Sequence, residues 1–173
     1  DNHLSGSGGT IAWNGAGLHA EGSDVRLISC QLLYNIGHGT SENANGRIRG
    51  GGIFASGLLE LRDTVVAYNK ATTSKPGINA LGGGIYFSGA RLVANNLLLY
   101  GNLSAKEELR GSGAGIEVAG GVAIISNSTV AVNAGDGICR NGGNVTLVNS
   151  IVAGNWSDLS GEISVAYSHI GDR

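Results

Sequence analysis

Proline is almost absent from this chain: Pro76 is the single one in 173 residues. Methionine is missing altogether, charged residues make up 14% and aromatics 5%. Each shortage excludes something. Without proline, the 31 glycines belong neither to a collagen-like repeat nor to a low-complexity linker. Two cysteines, Cys30 and Cys139, are too few for a disulfide framework. Apolar runs of only a few residues are too short to span a bilayer. A net charge of −2 gives no reason to expect nucleic acid or an anionic membrane as partner. The histidines, His3, His19, His38 and His169, lie far apart with no metal-ligand spacing, and no cofactor is expected. The missing methionine, even at position 1, leads us to expect a processed product or a piece of a longer precursor.

Glycine is what the chain has instead, about 18% of it against about 7% in ordinary proteins. Its placement is periodic. Gly17-Leu18, Gly52-Ile53, Gly84-Ile85, Gly115-Ile116 and Gly137-Ile138 form one column, at spacings of 35, 32, 31 and 22. Asn35, Asn69, Asn102, Asn133 and Asn155 form a second, at spacings of 34, 33, 31 and 22. The two columns keep step, and between them lies a constant segment. Val25-Arg26-Leu27 recurs as Leu59-Glu60-Leu61, Leu92-Val93-Ala94, Ala123-Ile124-Ile125 and Val145-Thr146-Leu147. A polar corner follows at Ser29, Asp63, Asn96, Asn127 and Asn149, and then a second short apolar run leads into the asparagine. Alternation of period 2 with β-branched and aliphatic residues reads as strand.

A unit of about 22 residues with short strands and glycine or asparagine corners is one coil of a parallel β-helix. The expected fold is therefore all-β: a single-stranded right-handed parallel β-helix of about five or six coils, forming one domain over residues 1–173. Like side chains on successive coils would sit about 4.8 Å apart, so aliphatics stack on aliphatics. The asparagines would form an internal ladder that satisfies buried amides, and asparagine tolerates the left-handed backbone of a sharp corner. Residues 36 to 51, 70 to 83 and 103 to 114 read as loop insertions at one corner, where the minimal connection is Ala134-Gly135-Asp136. Residues 1–16 read as a partial first coil and its insert, with Asn2 as the asparagine of a preceding coil. Residues 156–173 read as a last partial coil or a cap. Cys30 and Cys139 then fall about four coils apart, on the order of 19 Å, beyond disulfide reach.

Gly50-Gly51-Gly52-Ile53, Gly82-Gly83-Gly84-Ile85 and Ala114-Gly115-Ile116, with the asparagines of Leu32-Leu33-Tyr34-Asn35, Val66-Ala67-Tyr68-Asn69 and Val130-Ala131-Val132-Asn133, resemble the pectin-lyase-like right-handed β-helix superfamily. Within it they look closest to bacterial surface and autotransporter repeats of the polymorphic outer-membrane-protein type. The resemblance covers nearly the whole chain. It implies a secreted or cell-surface protein, and the superfamily spans lyases, hydrolases, adhesins and inert spacers. Its hydrolases carry Gly-His-Gly and Arg-Ile-Lys segments, which Gly37-His38-Gly39 and Arg47-Ile48-Arg49 approach. A glycosidase needs two carboxyls facing one bond, and Glu42 is the only carboxylate near these segments.

Catalytic residues are therefore not assigned. Phe54 and Tyr86, outward and on adjacent coils, are candidates for a binding platform or for cross-coil packing. His38, Arg47 and Arg49 are candidate contacts in the first insert. The expected function is a non-enzymatic structural or adhesive module, with a glycan or protein surface as partner. Self-stacking end to end into a fibre is a variant, which a strictly monomeric particle would eliminate. The alternative is a polysaccharide-active enzyme of pectate-lyase or glycoside-hydrolase type, or a carbohydrate-binding module.

Overall fold

A computed structural model of the protein describes residues 3–6, 12–39, 46–74, 79–106 and 109–171. Asn2 and Glu42 lie outside them. Among the described residues there are strands and turns and no helix. Every strand pairing among the described residues is parallel except one short hairpin. Among the described residues no helix is long and apolar enough to cross a membrane.

The repeat columns become files of stacked residues. Leu18, Ile53, Ile85, Ile116, Ile138 and Leu159 stand in register through a six-stranded parallel sheet. The four isoleucines of that file are fully buried, and each such burial stabilises by about 1.5–3 kcal/mol. A ten-stranded sheet carries further files of core residues, among them Leu61, Ala94, Ile125 and Leu147 and the two that follow. Leu59, Leu92, Ala123 and Val145 form one; Val66, Leu99, Val130 and Val152 form the other. All of these belong to one continuous core. Leu58, Glu60 and Arg62 alternate with the inward Leu59 and Leu61, as a half-buried strand requires.

The strands Leu58–Ala67 and Arg91–Tyr100 pass through the polar corner without a break. The corner residues Ser29, Asp63, Asn96, Asn127 and Asn149 all have φ between 48° and 54°. Short polar side chains are the ones that tolerate this region best. At the next corner the left-handed position is held by Tyr34, Tyr68, Gly101, Val132 and Gly154. The ladder asparagines follow those residues and are not themselves left-handed, so their presence has another cause, given below.

The described parts of the segments read from sequence as loop insertions are mostly strands, which corrects that expectation. His3–Gly6, Ile36–Gly39, Lys70–Thr73 and Leu103–Lys106 pair in parallel. Ala12–Asn14, Arg47–Arg49 and Asn79–Leu81 form a second parallel sheet beside them. Together they make an arm with a small core of Ile48, Ala71 and Ala80. The inward positions are held by Gly37, Gly39, Thr73 and Ser104, too small and polar to show a hydrophobic period. The arm stops where the connection shortens to Ala134-Gly135. There Leu109–Arg110 folds back antiparallel on Leu103–Lys106 and covers its edge. Further along the stack in the same direction, Ser157–Ser160, Ser164–Ala166 and His169–Ile170 pair with the preceding strands on all three tracks. Residues 157–170 thus make one further pass of the chain.

Candidate functional site

The buried ladder is built from one hydrogen-bond pattern repeated down the stack. The backbone N–H and Nδ2 of Asn35 donate to Asn69 Oδ1 at 3.0 and 2.8 Å. Asn69 donates likewise to Asn102 Oδ1 at 3.0 and 3.1 Å, and Asn102 to Asn133 Oδ1 at 2.9 and 3.0 Å. Asn133 donates to Asn155 Oδ1, twice at 2.9 Å. The second amide proton goes to a carbonyl of the preceding rung: Leu32, Val66, Leu99 and Val130 accept from Asn69, Asn102, Asn133 and Asn155. The run closes on Asp158, whose Oδ1 accepts from the Asn155 backbone N–H at 3.1 Å and from Nδ2 at 2.9 Å. Only an amide supplies both the acceptor and two donors at one position, which is why the column is asparagine.

The same geometry explains why glycine and asparagine keep step. A Cβ on Gly84 would lie 3.0 Å from Asn102 Cγ and 2.6 Å from the Gly115 carbonyl oxygen. Gly52 faces Asn69 in the same way, Gly115 faces Asn133 and Gly137 faces Asn155. Each glycine makes room for one rung of the ladder.

The outward file beside the isoleucines runs His19, Phe54, Tyr86, Glu117 and Cys139. Phe54 and Tyr86 stack at 5.7 Å between centroids and 3° between planes. They are only 4% and 6% exposed. Neither ring presents a face to a partner in solution. Arg49 reaches across from the arm, its guanidinium 5.1 Å above the Tyr86 ring. Arg47 is exposed on the same arm strand. His38 sits on the other arm sheet, Nδ1 2.9 Å from Thr72 Oγ1. Of the five binding candidates, the structure thus brings together Phe54, Tyr86 and Arg49 and leaves Arg47 and His38 apart.

Further down the seam is a polar cluster that the sequence reading missed. Glu117 is fully buried. Ser112 donates to its Oε2, and Asn141 Nδ2 donates to Oε1 at 3.1 Å. The Ser112 hydroxyl also lies 3.2 Å from Cys139 Sγ. Burial pushes the Cys139 thiol up to about 11, against the opposing hydrogen bond from Ser112. Burial likewise raises the Asp136 carboxyl, opposed by hydrogen bonds from the Gly113 backbone and Cys139. These groups satisfy one another and lock the arm to the body. Cys30 and Cys139 are both free thiols.

The exposed side of the molecule is different. On the ten-stranded sheet the polar corner forms a second, outer set of amides: Asn96 Nδ2 donates to Asp63 Oδ1 at 2.7 Å, and Asn149 Nδ2 to Asn127 Oδ1 at 2.6 Å. Beside it runs a shallow groove of about 340 Å³, lined by Asp63, Asn96, Asn127, Val65, Leu98 and Thr129 among others. Tyr34 and Tyr68, at the next corner, are 55% and 41% exposed and stack on each other at 5.1 Å. The corner column was visible in the sequence, but nothing there separated a corner that only turns the chain from one that also borders a groove. Of the four Asn-x-Ser/Thr sequons, Asn102 and Asn155 are buried in the ladder, whereas Asn127 and Asn144 are exposed.

Comparison with family models, with curated proteins and with solved structures finds no match to the chain.

Proposed function

We propose that the chain is a stretch of single-stranded right-handed parallel β-helix, of the pectin-lyase-like kind and related to bacterial surface and autotransporter repeats. In this reading it acts outside the cell as a rigid, non-enzymatic structural or adhesive module. The observation that carries the reading is the amide ladder, five asparagines long and closed by Asp158. It requires the same corner to recur at the same height on every pass, as the turns of a helix do. Right-handedness is supported by the near-universal hand of connections between parallel strands, about 98% of cases. The non-enzymatic reading is supported by the seam, where the buried carboxylate Glu117 is already held by Ser112 and Asn141. Self-association through rung edges remains part of the proposal, and sedimentation at several concentrations reads it out.

The test of the functional reading is incubation with polygalacturonate and with neutral polysaccharides, with and without calcium. The expected result is no new reducing ends and no unsaturated uronate. Cleavage above the rate of the heat-denatured protein would overturn it.

A further inference from the structure

The groove beside the outer corner is a concave place that faces solvent on the long sheet. Its floor is apolar: Leu98 is 37% exposed, flanked by the half-buried Val65 and Thr129. Its rim is Asp63, Asn96 and Asn127, on three successive rungs about 4.8 Å apart. The rim is held in place before any ligand arrives. All three residues are locked in left-handed backbone, and Asn96 is bonded to Asp63 and Asn127 to Asn149. These bonds leave further acceptor sites on the Asp63 carboxylate and amide donors and acceptors on Asn96 and Asn127. A volume of about 340 Å³ is at the small end of ligand sites.

The chemistry of floor and rim selects the occupant. A pyranose has an apolar C–H face and an equatorial fringe of hydroxyls, which match an aliphatic floor and a rim of amides. A β-linked chain of such sugars advances per unit by a length close to the rung spacing. A peptide fits poorly, because this is a sheet face whose backbone groups are used in the strand pairing, and a peptide backbone needs an edge. Among the lining residues Asp63 is the one ionisable group, so an anionic chain is repelled.

We propose that the groove at Asp63, Asn96, Asn127 and Leu98 binds a neutral polysaccharide laid along the stack. This names a ligand class for the adhesive reading above and rests on it.

The test is native gel electrophoresis in matrices containing xylan, galactomannan, mixed-linkage β-glucan or polygalacturonate, with thermal unfolding of the same samples. At least one neutral polysaccharide is expected to retard the protein, and polygalacturonate is not. Leu98→Asp should weaken retardation about tenfold or more and Asn96→Ala several-fold, while Arg91→Ala, on the adjoining face, leaves it unchanged. The inference is overturned if no neutral polysaccharide retards the protein, if polygalacturonate retards it most, or if Leu98→Asp behaves as the parent. Unfolding separates the two levels. Cooperative melting without retardation removes the groove and leaves the stacked module standing, whereas absence of a cooperative transition removes the module itself.

Discussion

Replacing Asn102 by alanine is expected to be among the most damaging single changes in the molecule. The side chain sits in mid-ladder and is fully buried. Its Oδ1 accepts the backbone N–H and Nδ2 of Asn69, and its own Nδ2 donates to Asn133 and to the Val66 carbonyl. Alanine removes all of these at once. Two buried donors on Asn69 lose their acceptor, and Val66 loses a donor. Each buried polar group left without a partner costs about 1–3 kcal/mol, so for three groups the sum is roughly 3–9 kcal/mol. That is a large part of the 5–15 kcal/mol that holds an ordinary domain together. The assay is urea unfolding followed by far-UV circular dichroism, where midpoint and slope report stability and cooperativity separately. Passes on either side contact each other only through this rung, so the slope should fall as well as the midpoint. Asn96→Ala, on the outer corner, removes a solvent-exposed hydrogen bond and should cost about 1 kcal/mol or less. A loss at Asn102 no larger than that at Asn96 would refute the reasoning.

Gly84→Ala should destabilise by about 1–3 kcal/mol, because the new Cβ meets the Gly115 carbonyl at 2.6 Å, whereas Gly120→Ala, whose nearest contact would be 3.4 Å, should be near neutral in the same urea titration. Asp158→Ala strands two buried donors of Asn155 and should cost about 2–6 kcal/mol, and Asp158→Asn, which keeps an acceptor oxygen, should recover most of it in thermal melts. With its thiol pushed up to about 11 from an ordinary 9.0, Cys139 favours the protonated form when folded. The unfolded chain therefore loses its proton first as pH rises, so the stabilisation present below pH 9 is lost between about 9 and 11. Melting across that window should show a smaller alkaline loss for Cys139→Ala than for the parent protein.

Much of the stack was legible because stacking forces the same residue type to recur. The isoleucine file, the asparagine file and the polar corner are all columns in the sequence. They pair in the registers Ile53 with Ile85, Val66 with Leu99 and Arg62 with Asn95. The coupling of Gly84 to Asn102 was legible only as a coincidence of spacing, since its cause is a contact between rungs. The arm was not legible as structure. Apart from Ile48 its inward positions are glycine, alanine, serine and threonine, which carry almost no hydrophobic signal. For the same reason the burial of Phe54 and Tyr86 could not be read: the residues that hold the seam, Arg49 and Ser112, lie in segments that look like loops. The Glu117 cluster is assembled from three passes of the chain, and no local motif announces it.

The most direct measurement is of rung spacing itself. Arg26, Glu60, Val93, Ile124, Thr146 and Ser164 occupy one outward file. In a background lacking Cys30 and Cys139, spin labels at Arg26 and Thr146, four rungs apart, should lie about 19 Å apart, and labels at Arg26 and Ser164 about 24 Å. A difference between the two pairs of about one strand spacing is the expected result. Equal distances for the two pairs, or separations beyond about 35 Å, would contradict the stacked, parallel, in-register chain.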